Sequence, residues 1–342
     1  MDHVRGFMRG LWQPLGKQNM EAGYLLATRT AQMPKAYIHV GTMKTGTTSI
    51  QAALKQNNDI LAEQAVHYLN AWPLRRSEKV APLLAKLSDD AEKVVMSDEG
   101  IWHFAREDRL ANTRFCDLPR IAKLFANFDV SVIVYMRRPD EMLQSWFLQG
   151  MKSGTGSRNF SSFLNSPFVA EGMNFLPRLE MFERHFGEGS VVVRPYERSQ
   201  FINGDVIADF CDVLGVDRQL LQTAKRKNVT HFSTDRALLS SMIFGMPTKK
   251  DEHIQKISKP FFDILISNGL KMRDYSLFTK DELTAIEANF RPVFEEIQNR
   301  YKSGAGQYFF KDWIDVDGFD EKTDSLRPLQ EALEFAKKAG VD

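Results

Sequence analysis

The stretch from Tyr37 to Gln51 constrains this chain more than any other. Tyr37-Ile38-His39-Val40 is a short apolar strand, and Gly41-Thr42-Met43-Lys44-Thr45-Gly46-Thr47-Thr48-Ser49 is a turn of glycines, hydroxyl side chains and one lysine. Ile50-Gln51 then opens a helical pattern. A strand that turns this tightly into a helix aims several backbone N–H groups and the positive end of the helix dipole at one spot. The natural occupant of that spot is a phosphate.

The same alternation continues along the chain. Strands are predicted at 36–41, 66–69, 93–97, 130–136 and 190–194, and helices at about 47–57, 76–88 and 117–127, from 139 onward, and at 205–214. Val130-Ser131-Val132-Ile133-Val134-Tyr135-Met136 is a run of apolar, mostly β-branched residues, the pattern of a strand buried on both faces. Strands alternating with helices predict an α/β three-layer sandwich with a central parallel sheet flanked by helices, and ligands at the C-terminal strand ends. Beyond 234 the strand signal stops. Leu283, Ile286, Phe290, Val293, Phe294 and Ile297 mark an amphipathic helix that Pro292 is expected to bend. The expected organisation is an N-terminal arm (1–35), an α/β core (36–233) and a helical C-terminal cap on that core (234–342).

The loop at 41–49 is nearly a Walker A loop, which reads G-x-x-x-x-G-K-[ST]. Gly41 and Gly46 keep the glycine spacing, but Thr47 stands where the lysine belongs, and the lysine has moved forward to Lys44. This displacement argues against the usual Mg-ATP arrangement. The segment Lys44-Thr45-Gly46-Thr47-Thr48 resembles the 5′-phosphosulfate loop of the sulfotransferases, whose donor is 3′-phosphoadenosine 5′-phosphosulfate (PAPS). The resemblance implies a P-loop-like fold, a donor site on Thr42, Lys44, Thr45, Gly46, Thr47, Thr48 and Ser49, and no requirement for a metal. It also implies a site for a 3′-phosphate. In the family an arginine ends a central strand and a serine follows eight positions later, as Arg137 and Ser145 do here. Arg138 reads as a solvated helix-start residue. Val191 to Glu197 is similar to the family's late strand ending in Tyr-Glu, which implies Tyr196 as an adenine contact. Arg226 to Ser233 is a basic, hydroxylic loop that either closes over the nucleotide or is merely solvated. The glycine-rich lid of the cytosolic animal enzymes is absent.

Transfer also needs a base. The strand Val94-Val95-Met96 runs into Ser97-Asp98-Glu99, so carboxylates stand at the predicted site mouth. Resemblance to the tyrosylprotein sulfotransferases makes Glu99 the first candidate, the histidine base of the cytosolic animal enzymes makes His103 the second, and Asp98 is the third; Lys44, Glu99 and His103 form the candidate catalytic set. His39, on the first strand, reads as a packed core histidine. The same Asp-Glu end could pass for a Walker B strand, which keeps a P-loop kinase or ATPase as the rival reading; a non-catalytic nucleotide-binding relative is another.

Charge bears on partners: 45 Lys and Arg against 44 Asp and Glu imply neither nucleic acid nor an anionic membrane. No run reaches the roughly 18 apolar residues of a membrane span. Gln13, Lys17, Glu21 and Arg29 break any apolar leader, so a cytoplasmic, bacterial-type member is expected. Cys116 and Cys211, each in a helical stretch, read as reduced structural thiols, with a single bridge between them as the alternative. The acceptor is expected to be a small molecule, a carbohydrate or a glycolipid. A glycine- and serine-rich loop from Gly150 to Asn159 is a candidate gate, with Lys152 and Arg158 as candidate holders of an anionic acceptor. Trp102, Phe104, Trp146 and Phe147 are either core or a stacking surface.

Overall fold

In the computed structural model, residues 33–70, 74–87, 91–107, 116–153, 160–222, 276–301 and 309–320 are described. The chain divides into the units Met1–Met33 and Pro34–Asp342, and the sheet and site belong to the second. Residues 1–32 of the expected arm, the loop at 226–233, Arg158 and most of the 234–342 cap lie outside the described residues, and Lys35, expected in the arm, begins β1.

The strands are β1 (Lys35–His39), β2 (Val66–Tyr68), β3 (Lys93–Ser97), β4 (Ala105–Arg106), β5 (Cys116–Asp117), β6 (Asp129–Met136) and β7 (Val191–Pro195). Five of them form one sheet in the order β2-β3-β1-β6-β7, and every pairing in it is parallel. The short β4 and β5 pair separately. Helices α1 (Thr47–Gln56), α2 (Asn58–Glu63), α3 (Ser77–Leu84), α4 (Gly100–Phe104), α5 (Leu118–Leu124) and α6 (Pro139–Ser153) fall between or after the strands. They are followed by α7 (Phe160–Leu164), α8 (Pro167–Gly172), α9 (Phe175–Phe186), α10 (Val206–Leu214) and α11 (Lys280–Arg300).

Alternation along each strand separates the two faces. Tyr37, Val95, Ile133 and Tyr135 pack with Ile50 and Leu54 of α1, Leu61 of α2, and Phe210 and Leu214 of α10. Ala36, Ile38, Val94, Met96, Val132 and Val134 face the opposite layer, with Ile121, Leu179 and Phe182. The result is the expected three-layer α/β sandwich. The described part of the C-terminal region joins that second layer through Leu283, Ile286, Phe294 and Ile297. Each fully buried side chain of this kind contributes about 1.5–3 kcal/mol. α11 starts at a capping box between Thr279 and Glu282 and runs through Pro292 without ending.

Some local expectations shift. The long helix α6 continues through Gly150 to Ser153, so the Gly150–Asn159 stretch begins as helix, and 154–159 lie outside the described residues. Cys116 sits in β5 rather than in a helix, because a two-residue strand leaves no periodic trace in the sequence. Both cysteines are free and buried.

The register sets up the site. His39, the last residue of β1, is level with Ser97 of β3 and Ile133 of β6, so β6 outruns β1 by three residues to Met136. Met136 is level with Pro195 of β7. Arg137 and Tyr196 therefore leave the sheet side by side, one step beyond the loop that follows β1.

Candidate functional site

The loop after β1 is pinned by its own hydroxyls. Thr42 is buried and donates its Oγ1 proton to the Tyr135 carbonyl on the overhanging end of β6 at 2.8 Å, and Thr45 Oγ1 donates to the Thr42 carbonyl at 2.8 Å. Each bond contributes roughly 1 kcal/mol. These two threonines shape the loop, while Thr48 and Ser49 stand exposed at the start of α1. Lys44 at the crown has φ 63°, a left-handed conformation that costs a lysine about 1 kcal/mol and clusters at functional loops. Gly46, at φ 76°, is the residue before α1, and a Cβ there would lie 3.0 Å from Cε2 and 3.1 Å from Oη of Tyr196. Glycine at 46 thus serves both the backbone turn and the close approach of the tyrosine. No side chain caps the start of α1, where the Ser49 and Ile50 N–H groups donate to the Gly46 carbonyl at 2.9 and 3.1 Å.

Arg137 and Ser145 meet. Arg137 Nη1 donates to Ser145 Oγ at 3.0 Å, and Arg137 Nε donates to Glu141 Oε2 at 2.8 Å. Two of the five guanidinium N–H donors are used in this way. The positive charge of Arg137 lies close enough to Tyr196 to pull its phenol pKa down, against the larger upward push of burial. Tyr196 also packs edge-on to Phe201. Gln149, one turn beyond Ser145 on α6, accepts from Lys44 Nζ at 3.3 Å. Sequence reasoning did not find Gln149, because a contact between residues 105 positions apart leaves no local signal.

Arg138, expected to be solvated, is half-buried. It forms a two-bond pair with Asp140 (2.7 and 3.0 Å) and donates to the Asp312 carbonyl at 3.1 Å. Glu197, directly after Tyr196, accepts from the backbone N–H groups of Lys311 (2.8 Å) and Asp312 (3.2 Å). Gln200 donates to the Phe309 carbonyl at 2.9 Å. The segment Phe309–Asp312 is thereby held against the ends of β6 and β7.

The two carboxylates after β3 have different fates. Asp98 is fully buried and accepts from the Gly100 N–H (2.8 Å), the Arg75 N–H (3.0 Å) and Arg75 Nη1 (3.2 Å). Glu99 points outward, and its carboxylate has no hydrogen-bond or ion-pair partner among the described residues. It is reachable by water yet stands in a crowded recess. Desolvation there raises its pKa above the ordinary 4.5 and the Asp98 charge adds to this, while Lys44 and Arg75 oppose it.

His103 is packed between Trp146 (ring centroids 5.0 Å apart) and Phe168 (5.6 Å), with Nε2 unpartnered. Burial, followed by the charges of Arg178 and Arg106, lowers it to about 3. Trp102, Trp146 and Phe147 are buried in the core, and Phe104 lies under the Arg75 guanidinium at 5.3 Å. The Lys152 side chain lies outside the described residues. Among the described residues no cluster of three or more His, Cys, Asp or Glu could hold a metal ion, and no helix is long and apolar enough to cross a membrane.

One sheet edge therefore carries a phosphate-type loop with a crown lysine, an Arg–Ser pair, a tyrosine against the second loop glycine, and an open carboxylate of raised pKa. No family model matches the chain. An uncharacterized protein of Archaeoglobus fulgidus is 25% identical over 230 residues, covering 64% of this chain. The match spans 61% of that relative's length. A sulfotransferase structure from Alicyclobacillus acidocaldarius overlaps 62% of this chain and 92% of its own, with a TM-score of 0.37 and 14% identity.

Proposed function

We propose that this chain is a PAPS-dependent sulfotransferase that sulfates a hydroxyl or amine acceptor, with a carbohydrate or glycolipid as the acceptor class. The observation that carries the reading is the bonded Arg137–Ser145 pair beside a phosphate loop whose lysine sits at the crown. A nucleotide with both a 5′- and a 3′-phosphate uses both features, and ATP uses only the loop.

When bound, PAPS supplies an electrophilic sulfuryl group with 3′,5′-ADP as leaving group. The loop amides, Thr48 and Ser49 bind the 5′ end, and Arg137 and Ser145 bind the 3′-phosphate through charge-assisted bonds. Tyr196 lies against the adenine. Lys44 stabilises the negative charge that grows on the leaving phosphate oxygen. Glu99 takes the acceptor proton, because it is open and unpartnered among the described residues, whereas Asp98 is occupied and His103 is packed away. The sulfuryl group carries less charge than a γ-phosphoryl, so Lys44 and the amides suffice without a divalent ion.

At a hundredfold excess over Kd, 3′,5′-ADP without magnesium is expected to stabilise the protein by about 2.7 kcal/mol, a Tm rise of about 4 °C. A shift with Mg-ATP and none with 3′,5′-ADP would turn the assignment to the kinase reading. Arg137→Ala is expected to weaken 3′,5′-ADP roughly 10- to 100-fold in calorimetric titration and to leave AMP nearly unchanged. Equal losses for both nucleotides would remove Arg137 from the 3′-phosphate.

A further inference from the structure

We propose that His39 is a positioning residue, locking the phosphate loop to the strand end that carries Glu99. The proposal deepens the sulfotransferase reading and rests on it for the roles of the loop and of Glu99. His39 is the last residue of β1, fully buried, and breaks the apolar pattern of that strand at the point where the loop begins. A polar side chain with no access to water belongs there only if its bonds do something that an apolar side chain could not.

Its bonds run sideways. His39 Nδ1 lies 2.9 Å from Ser97 Oγ, at the end of β3 and two residues before Glu99. The His39 carbonyl accepts from the Asp98 N–H at 3.1 Å. Ser97 is held from the other side as well, since Gln51 Nε2 of α1 donates to its carbonyl at 3.1 Å and to its Oγ at 3.4 Å. With Gln51 donating to Ser97 Oγ, the serine proton is free to go to Nδ1. That leaves the hydrogen of the neutral ring on Nε2.

Nε2 is buried without a protein partner, and so is Thr47 Oγ1. Both flank Gly41: a Cβ added there would collide with Thr47 Oγ1 and lie 3.3 Å from His39 Nε2. A donor and a hydroxyl without protein partners therefore both border Gly41 under the loop, polar groups of the kind that one bound water can join. His39 thus reaches α1 on one side and β3 on the other. Through it the donor loop and the base-bearing strand end share one rigid frame, as near-attack geometry requires. Tyr135 and Phe210 wall the ring edge-on and tilted, fixing its orientation.

Three variants and one spectrum test this. His39→Phe is expected to lower kcat at least tenfold while changing the Kd of 3′,5′-ADP less than threefold. His39→Asn, whose amide oxygen can take the place of Nδ1, is expected to return kcat to within threefold of the parent. Gln51→Leu, at the less buried end of the relay, is expected to lower kcat in the same direction, and the Gln51→Leu/His39→Phe pair to be no worse than His39→Phe alone. Nitrogen NMR of the unaltered chain is expected to show a neutral His39 protonated at Nε2. A proton on Nδ1, additive losses, or full activity in His39→Phe overturns the proposal. If His39→Phe does not fold, Gln51→Leu and the spectrum decide. If the unaltered chain fails to bind 3′,5′-ADP, the sulfotransferase reading is what fails, and the spectrum still tests the relay.

Discussion

Replacing Lys44 with Met is expected to lower kcat by about 10²–10³-fold, the loss seen when one preorganised donor to a growing oxyanion is removed. The Kd of 3′,5′-ADP should move far less, because the amides at the start of α1 and the Arg137–Ser145 pair remain. Single-turnover rates beside calorimetric Kd values separate the two effects. Parallel losses in rate and affinity would make Lys44 a nucleotide anchor and remove it from the transition state. Met keeps the length of the stem and removes the ammonium, so the crown loses its charge and its bond to Gln149. The pH profile gives a second readout. Lys44 pulls the Glu99 pKa down, so its removal should move the acid limb of the residual activity to higher pH.

Glu99→Gln is the other large effect, expected at about 10²–10⁴-fold in kcat/KM, the usual worth of a positioned general base. The sign of the pH dependence follows from the ionised form being the active one. Its pKa is raised above the ordinary 4.5, so activity in the parent should rise with pH through that raised value and fall away below it. In Glu99→Gln the acid limb should vanish with the activity, while binding of 3′,5′-ADP persists. A Glu99→Gln variant of near-parent rate and unchanged profile would remove Glu99 from the role and send the search for the base elsewhere along the strand ends.

Much of the frame was legible because it is written in local chemistry. The apolar runs that became β1, β3, β6 and β7 are continuous where a strand is covered on both faces, and each is followed by a residue of the candidate site. The spacing of Arg137 and Ser145 is set by one strand end and two turns of helix, so it could be read before any contact was known. What stayed hidden is what register decides. Asp98 and Glu99 are neighbours of one chemical type, and nothing in their order says which is tied to Arg75 and Gly100 and which stands open. The same holds for Arg138, whose partner carbonyl at Asp312 is 174 residues away. Gln149 is a glutamine among many until α6 is laid beside the loop. His39 was legible as buried, but its bond to Ser97 appears only when β1 and β3 are set level.

The docking of Phe309–Asp312 on Arg138 and Glu197 has a consequence in time. Both residues directly follow side chains of the candidate site, Arg137 and Tyr196, yet their partners are translated more than a hundred residues later. At roughly 5–20 residues per second that interval is about 6–35 s. During it the emerging chain already carries the loop, the Arg–Ser pair and the tyrosine, while the Glu197 carboxylate lacks the backbone donors it holds in the folded protein. This edge of the sheet is therefore complete only after Phe309–Asp312 has been synthesised.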